Sequence, residues 1–253
     1  MKRIEITGLP GSGKSTLLPL IKDGFKELGA ILTEKDLVDR LIKKKYFMFS
    51  PIFRLLTMSF RNKLFNKLYK FNIKSNKLEP KYIQLLSFIN DLNSQRRISN
   101  NEAVKIMSWF YNLISVMSLA EKFIHKQEYF LIDESFVHRA QSLFISKEEP
   151  VLRKEMLKKY LKIIDAPEYL LFIEANIEVC ISRLKKRGFP VRFLKYTAEE
   201  INLVFQNSEK LLFNVSETFT ESNTKIIKLN NNLTHEDYFS IKEQIWNELK
   251  EKK

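Results

Sequence analysis

The chain has 253 residues, 44% of them apolar, which is material for one sizeable core, and a formal charge of +13. A single cysteine, Cys180, excludes an internal disulfide, and no run reaches the roughly 20 uncharged apolar residues needed to span a bilayer. The N-terminus opens on a strand-like pattern instead of a charged stretch and an apolar leader, so the expected location is cytoplasmic.

The first predicted strand is RIEIT at 3 to 7, and a helix is expected from Lys14 to about Leu28. Between them lies ITGLPGSGKST, which holds three of the six glycines in the chain. GLPGSGKS fits G-x-x-x-x-G-K-[ST] at every fixed position and sits in the strand-to-helix setting that this motif requires. In such a loop glycines let backbone N–H groups converge on phosphate oxygens, and the helix N-terminus adds a partial positive charge. Gly8, Gly11, Ser12, Gly13, Lys14, Ser15 and Thr16 are therefore the candidate nucleotide-binding residues. Lys14 would span the β and γ phosphates of ATP, and the Ser15 hydroxyl would ligate Mg²⁺.

AILTE at 30 to 34 reads as a second strand ending at Glu34, a candidate for facing the acceptor group. Lys35 and Arg40 read as surface residues. Nearly a hundred residues without a convincing strand follow, with helical periodicity and breaks near Ser50 to Pro51, Ser75 to Pro80 and Ser99 to Asn101. In 102 to 127 the residues Val104, Met107, Phe110, Tyr111, Ile114, Met117 and Ala120 recur at helical spacing and predict a core helix.

Within this insertion, positions 43 to 81 hold Lys43, Lys44, Lys45, Arg54, Arg61, Lys63, Lys67, Lys70, Lys74, Lys77 and Lys81 against one acid, Glu79. Phe60, Phe65, Tyr69, Phe71 and other aromatics are interleaved. A basic, aromatic helix of this kind could lie on an anionic membrane, hold a polyanionic or lipid-linked substrate, bind nucleic acid less readily, or simply show lysines to solvent. The nearest match to a guanine-reading Asn-Lys-x-Asp string is Asn76-Lys77-Leu78-Glu79, which ends in the wrong acid and precedes the third strand, so a switch GTPase is not expected.

EYFLID at 128 to 133 is apolar on both faces and predicts a central strand, with Asp133 and Glu134 at its carboxyl edge, where open α/β sheets bind ligands. Asp133 could hold Mg²⁺ or take a proton from an attacking hydroxyl, while one of the two acids could instead cap the next helix. YLLFIEA at 169 to 175 and KIIKLN at 225 to 230 are the fourth and fifth strands, and THEDYFSIKEQIWNELK a final helix. After the fourth strand, ISRLKKRGFPVRF places Arg183 and Arg187 on one helix face before Gly188, and Arg192 beyond it, as in a lid that closes over a transferring phosphoryl group.

These residues together resemble the P-loop nucleoside and nucleotide kinases, the deoxynucleoside kinase and thymidylate kinase group. The resemblance covers 8 to 16, the end of the second strand, the third strand with its acid, the lid helix and the final strand and helix, but not residues 40 to 127. It implies an α/β P-loop NTPase fold in three layers, with a five-stranded parallel sheet ordered 2-3-1-4-5 and a large helical insertion between strands 2 and 3. The chain, 1–253, would be one kinase domain with the insertion at about 36–127 and the lid at about 183–197. The implied activity is ATP- and Mg²⁺-dependent phosphoryl transfer to an acceptor hydroxyl on a nucleoside, sugar or lipid-linked glycan. The implied catalytic set is Lys14, Glu34, Asp133, Arg183 and Arg187, with Ser15 and Asp133 at the metal and Glu34, Glu134, Arg139 and Arg192 toward the acceptor. The alternative is a membrane- or nucleic-acid-associated ATPase that works through the basic insertion. Where the group usually has an acid followed by Arg after strand three, this chain has Glu134, and its next basic residue is Arg139.

Overall fold

A computed structural model describes residues 1–45, 78–96, 98–145, 153–190, 193–232 and 243–248. Most of the basic stretch, 46–77, and Arg192 lie outside the described residues, as does the greater part of the final helix. The expected membrane- or nucleic-acid-facing surface and the expected role of Arg192 therefore fall outside the described residues.

Five strands, β1 (Lys2–Gly8), β2 (Ile31–Leu32), β3 (Tyr129–Ile132), β4 (Tyr169–Glu174) and β5 (Lys225–Asn230), form one sheet in the order β2-β3-β1-β4-β5, and every pairing is parallel. Parallel neighbours need crossover connections, and helices supply them: α1 (Lys14–Gly24), α2 (Glu34–Lys45), α3 (Pro80–Ser94), α4 (Asn100–Phe123), α5 (Phe136–Phe144), α6 (Lys154–Ile163), α7 (Ile177–Arg187) and α8 (Ala198–Thr220). The strand order is the expected one.

Alternation along the strands divides the core into two layers. Ile4, Ile6, Leu131, Leu171 and Ile227 pack with Leu17, Ile21 and Phe25 of the α1 region and with Ile245, while Phe130, Ile132, Leu170 and Phe172 pack with the helices of the other face. On that second face β1 contributes no apolar residue. Arg3, Glu5 and Thr7 are buried there, with Arg3 Nε 3.0 Å from Glu5 Oε1 and the Arg3 guanidinium donating to the carbonyls of Ile164 and Asp165. The free oxygen of Glu5 accepts the backbone N–H of Val137 in the first turn of α5. A buried charge is tolerated only when paired and hydrogen-bonded, and here the pair also ties α5 to the central strand.

Three expectations change. The second strand is shorter than 30 to 34, because Thr33 leaves the sheet as the cap of α2: its N–H and Oγ1 both donate to Asp36 Oδ2 at 2.8 Å. Glu34 thus begins a helix instead of ending a strand. The first helix stops at Gly24, and a 3-10 turn, Lys26–Leu28, follows. On α4 the buried stripe is Ile106, Phe110, Leu113, Ile114, Met117 and Ala120, whereas Val104 and Tyr111 are exposed.

By length and composition α4 is also long and apolar enough to cross a membrane, and half of its most apolar stretch is buried in the protein. That buried half packs into the same core as α2, α3 and α5. Arg40 does not stand in solvent as an ordinary surface residue. It clamps both oxygens of Glu128, at 2.7 and 2.6 Å, and so fixes α2 to the turn that enters β3.

Candidate active site

The glycine-rich loop runs from Gly8 at the carboxyl end of β1 to Lys14 at the start of α1, with Gly11 at φ 84° and Gly13 at φ 92°. Glycines let the backbone N–H groups of such a loop converge on phosphate oxygens. The structure shows a protein-side reason as well. A Cβ on Gly11 would lie 2.5 Å from the Cys180 carbonyl of α7, and one on Gly13 would lie 2.3 Å from Nδ2 of Asn231. The loop is therefore pressed between α7 and the segment after β5, and these two positions exclude any side chain.

Asn231 donates to the carbonyl of Ser12 at 2.6 Å, and its own backbone N–H is held by Glu174 O. On the other side, buried Gln141 of α5 donates from Nε2 to the carbonyl of Gly8 at 3.2 Å. Neither residue was named from sequence. Lys14 Nζ bonds to the carbonyls of Gly8 and Leu9, each at 2.9 Å. Ser15 and Thr16 are exposed on the first turn of α1, and Arg183 of α7 brings a guanidinium nitrogen to within 3.8 Å of the position of a Gly13 Cβ. Arg187, one turn further, is exposed.

The fold is that of a P-loop NTPase.

The loop suits a triphosphate and its metal. The ammonium sits on loop carbonyls that phosphate oxygens can replace, and the Ser12 hydroxyl is buried without a hydrogen-bond partner in the protein. The Ser15 hydroxyl is open to solvent at a helix N-terminus. Among the described residues, no group of three His, Cys, Asp or Glu side chains could hold a metal by itself.

A second concavity of about 300 Å³ opens at the same sheet edge, lined by Glu34, Trp109, Asn112, Ile132, Asp133, Glu134 and Arg139 among others. Four candidate residues from two distant stretches of the sequence thus meet in one cavity. Neither acid after β3 caps α5. Ser135 does so, accepting the N–H of His138, which leaves Asp133 and Glu134 to the cavity. Arg139 pairs with Glu134 and lays its guanidinium over the Trp109 ring, 4.9 Å from its centroid. The first basic residue after Glu134 thus reaches the cavity. It arrives from the first turns of a helix instead of the adjacent position. Glu34 keeps solvent access, yet protein atoms crowd its carboxyl and, with the like charges of Asp133 and Glu134, raise its pKa above the ordinary carboxylate value, against the opposing pull of Arg139.

The segment after α7 is anchored more than a free lid would be. Phe193 is buried against Phe189, Tyr196 and Phe205, and a capping box between Thr197 and Glu200 starts α8 directly after it.

No protein-family model and no curated protein matches the chain. Among solved structures it is similar to deoxyadenosine kinase from M. mycoides with bound dCTP, at 15% identity over 98% of this chain and 99% of that one, with a TM-score of 0.38. It is also similar to TT1252 from Thermus thermophilus, at 16% identity over 98% and 97% of the two chains, with a TM-score of 0.39.

Proposed function

We propose that the protein is a small-molecule kinase that transfers the γ-phosphoryl group of ATP to a hydroxyl of a nucleoside- or sugar-sized acceptor. The observation that carries this reading is the acid-lined cavity of about 300 Å³ at the same sheet edge as the P-loop, with Glu34, Asp133 and Arg139 inside it. That volume is at the lower end of the range for small-molecule pockets. A motor or a simple ATPase has no need of a separate concavity lined by candidate bases.

In this reading Lys14 leaves the carbonyls of Gly8 and Leu9 for the β and γ phosphates, and the loop N–H groups hold the remaining oxygens. Mg²⁺, when bound with the nucleotide, neutralises phosphate charge, with Ser15 and Asp133 as its protein-side partners. Glu34, with its raised pKa, accepts the proton of the acceptor hydroxyl, and Asp133 is the other candidate base. Arg183 stands closest to the loop and is the first choice to neutralise the transferring group, with Arg187 behind it.

The test is transfer of labelled γ-phosphoryl from ATP to panels of nucleosides, sugars and lipid-linked glycans, with the wild type beside Lys14→Ala and Glu34→Gln. A labelled small-molecule product that requires both residues supports the reading. Hydrolysis to free phosphate with no acceptor product across the panels overturns it.

A further inference from the structure

A phosphate-binding loop works by turning its N–H groups inward, so its carbonyls must find partners elsewhere. In this protein a side-chain amide from a distant element takes the carbonyl at each end of the loop: Gln141 for Gly8 and Asn231 for Ser12. The Gly8 carbonyl differs from that of Ser12 in one respect. It also accepts the Lys14 ammonium, the group that must move when a nucleotide binds.

We infer that Gln141 is a positioning residue for the donor site: it holds the Gly8 carbonyl so that Lys14 can leave it for the triphosphate without stranding a buried acceptor. The inference rests on the kinase reading only in taking the loop as an ATP site. Several observations support it. Gln141 is buried, and its amide nitrogen lies 3.2 Å from the Gly8 carbonyl, which can only accept, so its NH₂ and not its oxygen must occupy this place. The helix that carries it is fixed at its first turn by the Ser135 cap and by the bond from Val137 N–H to Glu5 on the central strand. The amide thus reaches the loop from a rigid platform. The same helix delivers Arg139 to the acid-lined cavity two residues earlier, so α5 is a physical link between the loop and that cavity.

The energetic logic is an asymmetry. A carbonyl oxygen has two lone pairs, and with both Gln141 and Lys14 on it the loss of one leaves it satisfied. Without Gln141, each Lys14 that swings to the nucleotide leaves the Gly8 carbonyl bare, and an unmatched buried acceptor is costly. The cost falls only on ligands that draw Lys14 away. ATP does so through its β and γ phosphates, whereas AMP, with its α phosphate alone, does not.

The experiment measures binding of ATP and AMP by calorimetry or by competition against a fluorescent nucleotide, in the wild type, Gln141→Met and Gln141→Leu. Both variants lose the donor and add no charge. Gln141→Met also removes an amide oxygen that is buried without a partner, so its melting temperature should equal or exceed that of the wild type. The expected result is ATP affinity lowered about ten-fold in both variants with AMP affinity unchanged. Unchanged ATP affinity, or equal losses for ATP and AMP, overturns the inference. Should Gln141→Met fail to fold, Gln141→Leu carries the comparison. A wild type that binds no ATP would instead overturn the nucleotide-site reading itself, which separates the two failures.

Discussion

Asn231 donates its side-chain amide to the carbonyl oxygen of Ser12 at 2.6 Å, joining positions 219 residues apart across the mouth of the glycine-rich loop. Because the same amide nitrogen would lie 2.3 Å from a Cβ on Gly13, a side chain there would have to displace this contact as well as strain a residue at φ 92°. Asn231→Ala should leave the Ser12 carbonyl unmatched and cost about 1–3 kcal/mol of stability. Gly13→Ala should cost more than the roughly 1–2 kcal/mol of a left-handed residue, since it adds a clash. The double variant tests the coupling: with the amide gone, the added methyl should cost less than it does alone. Denaturant unfolding of the four proteins measures the cycle, and strict additivity would contradict the contact.

Replacing Lys14 by Ala should lower phosphoryl transfer by at least about 100-fold, the usual loss when one electrostatic partner of the reacting group is removed, while the melting temperature changes little. Lys14 is only half-buried, and the Gly8 carbonyl that it leaves keeps Gln141 as its donor. Transfer assays beside thermal melts decide it, and an equal fall in both would assign Lys14 a structural role.

Glu34 should set the acid limb of the pH profile. Its pKa is raised by the crowding of its carboxyl and by Asp133 and Glu134, so transfer should fall with decreasing pH at a higher pH than an ordinary carboxylate would give. Glu34→Gln should abolish that limb and lower turnover by about 100-fold or more. The stability sign is opposite to the activity sign. A carboxyl with a raised folded pKa binds its proton more tightly folded than unfolded, so stability drops as pH rises through that range. At neutral pH, Glu34→Gln should therefore melt no lower than the wild type.

Much of this arrangement was legible in the sequence wherever the signal is local. The motif spacing places Lys14 and Ser15, and apolar runs broken by helical stretches give the strands, while their order came from the resemblance to P-loop kinases. Asp133 was found because a strand end is a ligand position in any open α/β sheet. The misplacement of Glu34 was avoidable, because Thr33-Glu34-Lys35-Asp36 is a capping pattern and Asp36 does reach back to Thr33. Gln141 and Asn231 were not legible, since each meets the loop from more than a hundred residues away and nothing in their own neighbourhood marks them. The buried polar half of β1 was hidden similarly: R-x-E-x-T reads as a solvent face until α5 and α6 close over it.

The bidentate pair of Arg40 and Glu128 should appear in acid unfolding. The Arg40 guanidinium holds the Glu128 carboxyl down to about 2, helped by the N–H of His125. A lowered folded pKa means that the contribution is present above the ordinary carboxylate value and is lost as pH falls through that value toward 2. Both side chains keep some solvent, so about 1–2 kcal/mol is the scale expected. Arg40→Ala should lower stability by that amount at pH 7 and by almost nothing near pH 2, measured by denaturant titration at the two values.

Arg139 and Trp109 allow acceptor binding to be separated from proton transfer, because they share a cavity wall but only one carries charge toward Glu34. Arg139 lies over the Trp109 ring and pairs with Glu134, and its charge opposes the rise in the Glu34 pKa. Trp109→Leu removes the aromatic wall and a cation–π contact worth about 0.5–2 kcal/mol, so it should raise the KM for the acceptor several-fold without moving the acid limb of the pH profile. Arg139→Gln should raise the same KM and also shift the acid limb to higher pH, since Glu34 loses the cation that favours its charged form. Neither change touches the P-loop, so the KM for ATP should stay constant in both variants. Initial rates with each substrate varied across pH give all three readouts. A rise in the ATP KM with an unchanged acceptor KM would remove this cavity from the acceptor role.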